Sequence, residues 1–290
     1  MYTRRVEDPA ARALRLVSAP ALVVGAPRSG TTLVQRLLLA DPRCVGGQES
    51  HFLATFGQAL RDFDRKQSLP RPHGLACYWT RAALVAELRG LWSRTFVPVV
   101  ERRPGAEVFV EKTPDHALWL DVAAELTPAA RVVHVVRDAR AVVASLLSAS
   151  RAPWGRPWAP RSAEAAVTIW RRHMEAALAS PLPVHLVRYE DIVDGAPGAV
   201  DGLFRFLGLA PEGRIGGGPP APERSTDAFV STGELRSLPS EPEGFARPAA
   251  EARDAWRREL GWWDERRVWR ATADLMEPLG YGRAGKERAR

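Results

Sequence analysis

Residues 21–49 of the chain read ALVVGAPRSGTTLVQRLLLADPRCVGGQE. The segment begins with four apolar residues, ALVV, which predict a buried strand. The next six residues, GAPRSG, favour a tight turn, and residues 31–40 have the apolar spacing of a helix that ends before Asp41 and Pro42. A strand, a glycine-containing loop and a helix in this order direct backbone N–H groups and a helix N-terminus at a phosphate. We therefore expect an anion-binding loop here.

This loop resembles the phosphate-binding pattern G-x-x-x-x-G-K-[ST], but it lacks the lysine of that pattern. Gly25 and Gly30 keep the glycine spacing, Thr31 occupies the lysine position, and Thr32 supplies the hydroxyl. Because that lysine serves the β- and γ-phosphates, its absence argues against a nucleoside triphosphate as ligand. Arg28 supplies a cation from within the loop instead. The pattern favours a ligand with a single 5′-phosphate that carries a small anionic group.

Composition restricts the class of protein. Of the 290 residues, 46% are hydrophobic and 26% are charged, which is typical of globular chains, and no apolar run reaches the length of a membrane span. The net charge of +7 suits anionic ligands, but no tract alternates basic with stacking aromatic residues, so we expect no nucleic-acid partner. Cys44 and Cys77 match no metal or disulfide pattern. A cytoplasmic protein without a signal peptide is expected.

Apolar runs predict three more strands, at residues 107–110, 132–136 and 184–187. Helical patterns, among them residues 117–126 and 163–178, separate these strands, and such alternation indicates a parallel sheet covered by helices on both faces. The predicted fold class is therefore α/β, with three layers around a central parallel sheet.

The whole chain, residues 1–290, is expected to form a single domain. Residues 50–105 have a mainly helical pattern and are interpreted as a helical insertion. Residues 210–248 are rich in proline and glycine, which predicts a long surface loop, and a final helical stretch is expected over residues 249–279.

A second cluster of polar residues follows the predicted strand at 132–136, in the segment VVRDARAVVAS. Arg137 lies at the carboxyl end of that strand, where ligands of open α/β sheets bind. Ser145 follows eight residues later, about two helical turns on. An arginine fork together with a serine suits a phosphate monoester. The alternative is that Arg137 pairs with a neighbouring carboxylate such as Asp138 and that Ser145 lies on an ordinary helix surface.

Together, GAPRSGTTLVQRLLL and VVRDARAVVASLL resemble the 5′-phosphosulfate loop and the 3′-phosphate motif of sulfotransferases that use 3′-phosphoadenosine-5′-phosphosulfate (PAPS). The resemblance spans about residues 21–281 and is closest to the tyrosylprotein-sulfotransferase-like, bacterial branch. GQES at 47–50, EKTP at 111–114 and the spacing from Lys112 to Arg137 indicate that branch, and ERSTD at 223–227 adds support. The resemblance implies a P-loop-like fold and metal-independent, in-line transfer of a sulfonyl group from PAPS to a hydroxyl acceptor.

The resemblance also implies roles for residues at matching positions. Lys112, one of only three lysines, matches the family's lysine on the leaving oxygen, with Arg28 beside it. Glu49 matches the catalytic glutamate of the branch, and Ser225 matches a serine that reaches the bridging region of PAPS. The donor-binding set implied by the motifs and the resemblance comprises Arg28, Ser29, Gly30, Thr31, Thr32, Arg137, Ser145, Tyr189, Ser225 and Arg253.

Alternatives exist for two of these roles. His51 and His116 compete with Glu49 for the role of general base, although neither matches the family position of a histidine base. His134, inside an apolar strand, is interpreted as a satisfied core residue. The family's last 3′-phosphate contact falls where the alignment slips, so that Arg253 or Arg257 would have to supply it.

The acceptor and the reaction class also have alternatives. A phenol, with a pKa near about 10, is easier for a carboxylate base to activate than an alcohol. A peptide tyrosine, a phenolic metabolite, a sugar or another hydroxylated small molecule all fit. A P-loop kinase or NTPase, or a non-catalytic nucleotide-binding protein, could share the scaffold. The sequence leaves the oligomeric state open, with a homodimer among the options.

Overall fold

The structure, a computed structural model, describes residues 8–211 and 253–283. Its centre is a sheet in which all neighbouring strands are parallel, in the order β2-β3-β1-β4-β5. The strands are β1 (Ala21–Val24), β2 (Cys44–Gly46), β3 (Val108–Lys112), β4 (Arg131–Val136) and β5 (Val184–Arg188). The predicted α/β class with a central parallel sheet is confirmed.

Helices cover both faces of the sheet. Short 3₁₀ helices span Gly74–Cys77, Pro114–Trp119 and Glu277–Leu279. The α-helices are α1 (Pro9–Ser18), α2 (Thr31–Leu39), α3 (Phe52–Gln67), α4 (Arg81–Glu101), α5 (Leu120–Leu126), α6 (Ala139–Arg151), α7 (Ala163–Leu178), α8 (Tyr189–Val193), α9 (Ala199–Phe206), α10 (Trp256–Glu259) and α11 (Trp262–Met276). Within the described part of the chain, none of these helices has both the length and the apolar character needed to cross a bilayer.

Side chains alternate between the two faces along each strand, and both faces are buried. Leu22 of β1 and Val132 of β4 belong to the core with α1, α4 and α5. Val23 and Val133, one residue further along, belong to the core with α2 and α9. This burial on both faces explains why β1 is entirely apolar and why β4 is apolar except at Arg131 and His134.

The crevice between β1 and β4 is the topological switch point of the sheet. After β1 the chain builds β2 and β3 on one side of β1, and it then builds β4 and β5 on the other side. The helices after β1 and β4 accordingly pack on opposite faces: α2 in the core with Val23, and α6 in the core with Val136. Ligands of open α/β sheets bind in such a crevice, beyond the carboxyl ends of the strands.

Several boundaries differ from the sequence prediction. Strand β2, only three residues long and at the sheet edge, was not predicted, because its paired partner β3 is distant in sequence. The helix predicted from residue 117 begins instead as a 3₁₀ turn at Pro114, and α5 begins at Leu120. Helix α4 continues through Pro98 to Glu101. Apart from its first two residues, the loop predicted at 210–248 lies outside the described residues.

His134 is buried in β4, but it is not the satisfied core residue that the sequence suggested. Neither ring nitrogen has a hydrogen-bond partner in the structure. Burial, helped by the nearby His173, lowers the pKa of His134 to about 4 from its usual 6.5. The ring is therefore neutral in the folded protein near pH 7.

This buried histidine predicts a loss of stability in acid. Because its pKa is lower in the folded state, the unfolded state binds the proton first, so stability falls as the pH drops from about 6.5 to about 4. We expect the wild type to lose about 2–3 kcal/mol more than His134→Leu between pH 7.5 and pH 4.5. Urea unfolding of both proteins at the two pH values measures this difference. Equal losses in the two proteins would contradict it.

Candidate active site

The predicted anion loop joins β1 to α2 and has an unusual backbone. Gly30 lies immediately before α2 with a φ of 94°, and Arg28 also has a positive φ, 73°. A Cβ atom on Gly30 would lie 2.3 Å from Cδ2 of Tyr189, the first residue of α8. Glycine is therefore required for both the backbone conformation and the close approach of the tyrosine ring.

Gly30→Ala is accordingly expected to destabilise the fold. A left-handed alanine costs about 1–2 kcal/mol, and the contact with Tyr189 adds to this. We expect a loss of at least about 2 kcal/mol in the free energy of unfolding by urea. Gly105→Ala is the matched control, because nothing lies within 4 Å of its added Cβ. A Gly30→Ala protein as stable as the Gly105→Ala protein would contradict this account of the loop.

The two anion motifs come together at the switch point. Nε of Arg28 donates to Oγ of Ser145, 3.1 Å away, and Nη1 of Arg137 donates to the carbonyl oxygen of Arg28 at 3.1 Å. The Arg137 guanidinium also lies over the Tyr189 ring, 4.4 Å from its centre. Residues that are more than 100 positions apart in sequence thus form one cationic cluster. Asp138, the alternative partner considered for Arg137, pairs with Arg140 in the structure.

A second cluster lies at the ends of β2 and β3, on the other side of the loop. Nζ of Lys112, the last residue of β3, forms an ion pair with the Glu49 carboxylate and donates to Oγ1 of Thr32 at 3.3 Å. The Lys112 side chain is 6% exposed, whereas that of Glu49 is 38% exposed. Nε2 of His51 is 3.6 Å from the other Glu49 oxygen. Glu49, Lys112 and the loop hydroxyl therefore meet at one point.

His116 is placed differently from the other candidate bases. Its ring is fully buried, Nε2 accepts from the backbone N–H of Leu53 at 3.2 Å, and Nδ1 is 2.8 Å from a Glu111 oxygen. Because Nε2 accepts a hydrogen bond, Nδ1 carries the proton and donates it to Glu111. Both ring nitrogens are thus engaged inside the protein, and neither is directed at a ligand.

The two candidates for the last 3′-phosphate contact, Arg253 and Arg257, pair with carboxylates in the structure. Arg253 forms an ion pair with Asp194 at 2.9 Å, and its side chain is partly exposed. Its alternative, Arg257, pairs with Asp254 at 3.1 Å. Ser225 lies outside the described residues.

Sequence reasoning missed a layer of residues behind Arg137. The Glu190 carboxylate accepts from the backbone N–H of Asp138 at 3.1 Å and from the Tyr281 hydroxyl at 2.7 Å, and burial raises the pKa of Glu190. Arg140 pairs with Asp138 and lies over the Trp256 ring. The charged residues that follow the apolar strand β4 were the available signal. The groups that contact them, Glu190 and Trp256, come from distant parts of the chain.

Comparisons with known proteins point to one family. A family model described as the sulfotransferase family matches residues 20–212. The omega-hydroxy-beta-dihydromenaquinone-9 sulfotransferase Stf3 of Mycobacterium bovis is 27% identical over 248 residues, which cover 67% of this chain and 64% of Stf3. The chain thus spans less than two thirds of the length of that relative. A candidate protein-tyrosine sulfotransferase of Caenorhabditis briggsae is 30% identical over 128 residues, or 43% of this chain and 41% of that protein.

Among solved structures, the sulfotransferase domain of the Synechococcus PCC 7002 olefin synthase resembles this protein with a TM-score of 0.56 at 20% identity. That likeness covers 91% of this chain and 95% of the other, and it supports the fold. The family match includes more than half of the chain, with the anion loop, Lys112 and the Arg137 motif inside it. The chain belongs to the sulfotransferase family.

Proposed function

We propose that the protein transfers the sulfonyl group of PAPS to a hydroxyl acceptor. The observation that supports this most is the convergence of the two anion motifs, in which Arg28 contacts both Ser145 and Arg137. A nucleotide with phosphates on both sides of its ribose needs two such anion contacts a short distance apart. The Lys112–Glu49 pair then lies on the 5′ side of the loop, where the transferred group would be.

The chemistry follows from the charges that develop. The acceptor oxygen attacks sulfur, the bond from sulfur to the 5′-phosphate oxygen breaks, and 3′,5′-adenosine bisphosphate leaves with that electron pair. We propose that Lys112 and Arg28 stabilise the negative charge on the leaving oxygen and the sulfonate, with Ser225 reaching the same region. The loop residues Ser29, Gly30, Thr31 and Thr32 hold the 5′-phosphate, while Arg137, Ser145 and Tyr189 hold the 3′ side.

Glu49 is the proposed general base, and it would take the acceptor proton. Its carboxylate lies beside Lys112, so an acceptor oxygen held there would lie next to the attacked sulfur. His51 faces the Glu49 oxygen that does not contact Lys112. His116 is fully buried with both nitrogens engaged, and this argues against it as the base.

A kinase or NTPase reading is less well supported. It requires a loop lysine and a metal-side carboxylate at a strand end. Thr31 stands at the lysine position, and the carboxylate nearest the end of β3, Glu111, is directed at Ser50, Thr113 and His116. Within the described residues, no group of His, Cys, Asp and Glu is arranged to hold a metal ion. Metal independence remains part of the proposal.

The acceptor is proposed only as a class: a hydroxyl on a small molecule or a peptide. One relative is named for a hydroxylated dihydromenaquinone and another for protein tyrosine, so the names of relatives favour neither an alcohol nor a phenol. The cytoplasmic location also remains a prediction, and a homodimer remains one option for the oligomeric state.

The experiment is transfer of labelled sulfonate from PAPS to a panel containing a tyrosine peptide, simple phenols, sugars and a hydroxylated isoprenoid quinol. Labelled product with at least one acceptor is the expected result. Binding of 3′,5′-adenosine bisphosphate without transfer to any acceptor would favour the non-catalytic reading instead.

A further inference from the structure

The start of α3 and the two residues before it are held mainly by side chains of the segment that follows β3. A helix leaves its first N–H groups without partners inside the helix, so these groups need acceptors from elsewhere. Here successive N–H groups find side-chain acceptors: Ser50 N and His51 N donate to Thr113 Oγ1 at 3.1 and 3.4 Å, Phe52 N donates to Ser50 Oγ at 3.1 Å, and Leu53 N donates to His116 Nε2 at 3.2 Å.

Glu111 is the centre of this arrangement. One carboxylate oxygen accepts from Ser50 Oγ at 2.8 Å and from Thr113 Oγ1 at 2.7 Å, and the other accepts from His116 Nδ1 at 2.8 Å. Burial alone would raise the pKa of Glu111, but the His116 ring and the hydroxyls of Thr113 and Ser50 outweigh burial and lower that pKa. The direction of the hydrogen bond between His116 and Glu111 is also fixed. Because Leu53 N–H donates to Nε2 of His116, the ring proton is on Nδ1 and is donated to Glu111.

The network lies directly beside the proposed catalytic pair. Glu49 immediately precedes Ser50 in the sequence. Lys112, the last residue of β3, stands between Glu111 and Thr113. Gln35 holds the chain on the other side of Glu49, since its Nε2 donates to the carbonyl oxygen of Gly47 at 2.8 Å. The backbone at His51 is left-handed, with a φ of 50°, a conformation that a non-glycine residue adopts only when its surroundings impose it.

We propose that Glu111, Thr113 and His116 are positioning residues that hold the Glu49 carboxylate against the Lys112 ammonium group. The inference rests on the proposed function, and it adds to that function the reason why Glu49 and Lys112 meet. The same strand end supplies the cation and fixes the backbone that carries the base. Loss of the network would misplace the base while leaving the loop and the Arg137 cluster in place, because those belong to β1 and β4.

Thr113→Val and Thr113→Ser form the matched test. Valine keeps the shape of threonine but leaves Ser50 N and one oxygen of Glu111 without the hydroxyl, whereas serine retains the hydroxyl. We expect Thr113→Val to lower kcat at least tenfold while the dissociation constant for 3′,5′-adenosine bisphosphate changes less than threefold. Thr113→Ser is expected to keep most of the wild-type kcat. Amide hydrogen exchange at residues 50–53 is expected to be faster in the valine variant only.

Three outcomes would overturn the proposal: a Thr113→Val kcat within threefold of wild type, an equal loss in Thr113→Ser, or a parallel loss of bisphosphate binding.

Should the valine variant fail to fold, Ser50→Ala gives the same test at a partly exposed position. It removes the hydroxyl that joins Glu111 to Phe52 N, and we expect at least a threefold lower kcat with unchanged bisphosphate affinity; an unchanged kcat would overturn the proposal. If the wild type transfers no label, the proposed function fails, while hydrogen exchange still tests the network.

Discussion

Replacement of Lys112 by methionine is expected to lower kcat by about a thousandfold. Methionine keeps most of the length of the side chain but removes the positive charge that contacts both Thr32 and Glu49 at the end of β3. Removing one group that stabilises a developing oxyanion costs about 10²–10³ in kcat, and the loss of a full, buried cation falls at the upper end. Initial rates of label transfer at saturating PAPS give kcat directly.

Lys66→Met is the matched control for this variant. Lys66 is one of the chain's other lysines, and it lies in α3, paired with Asp62 one helical turn away. We expect its kcat to remain within about twofold of wild type, because Lys66 lies at the end of α3 that is remote from Glu49 and pairs with Asp62. If Lys112→Met retains more than a tenth of the wild-type kcat, the role assigned to Lys112 is wrong.

Glu49→Gln is expected to lower kcat by about 10²–10³, the range of a lost general base. Glutamine keeps the size of the side chain, but it cannot accept the acceptor proton. The dissociation constant for 3′,5′-adenosine bisphosphate, measured by calorimetry, should change much less than kcat.

His51→Ala separates the two remaining candidates for the base. His51 lies beyond Glu49, with Nε2 at 3.6 Å from the carboxylate, so its loss should lower kcat less than about fivefold. A large loss in His51→Ala together with a small loss in Glu49→Gln would assign the base to the histidine instead.

Much of the fold could be predicted because the decisive signals are local. Strands β1 and β4 are buried on both faces, so β1 is apolar throughout and β4 is apolar apart from Arg131 and His134, and the sequence alone locates both strands. Helix α7 was predicted with its observed bounds because Ser162 caps a clean amphipathic pattern. The edge strand β2 has no comparable signal. Its three residues become a strand only through pairing with β3, some 60 residues later.

The candidate site could be predicted where its sequence signals are local, and it could not where its residues come from distant segments. The two anion motifs could be placed near one another because parallel strands deliver their carboxyl ends to one edge, and Arg28, Ser145 and Arg137 do meet there. The residues behind them could not be found, since the acceptors of the α3 N–H groups and the partners of Glu190 come from distant segments. His134 shows the limit most clearly, because no sequence pattern reveals whether a buried ring finds hydrogen-bond partners.

The central claim is that one nucleotide with phosphates on both sides of its ribose spans the loop around Arg28 and the cluster around Arg137. Calorimetric titration of the wild-type protein with 3′,5′-adenosine bisphosphate, 5′-AMP and Mg·ATP tests it most directly. The account predicts that the bisphosphate binds at least about tenfold more tightly than 5′-AMP, because only the bisphosphate reaches both clusters, and that Mg·ATP binds more weakly than the bisphosphate. Equal affinities for the bisphosphate and 5′-AMP, or tighter binding of Mg·ATP, would contradict it.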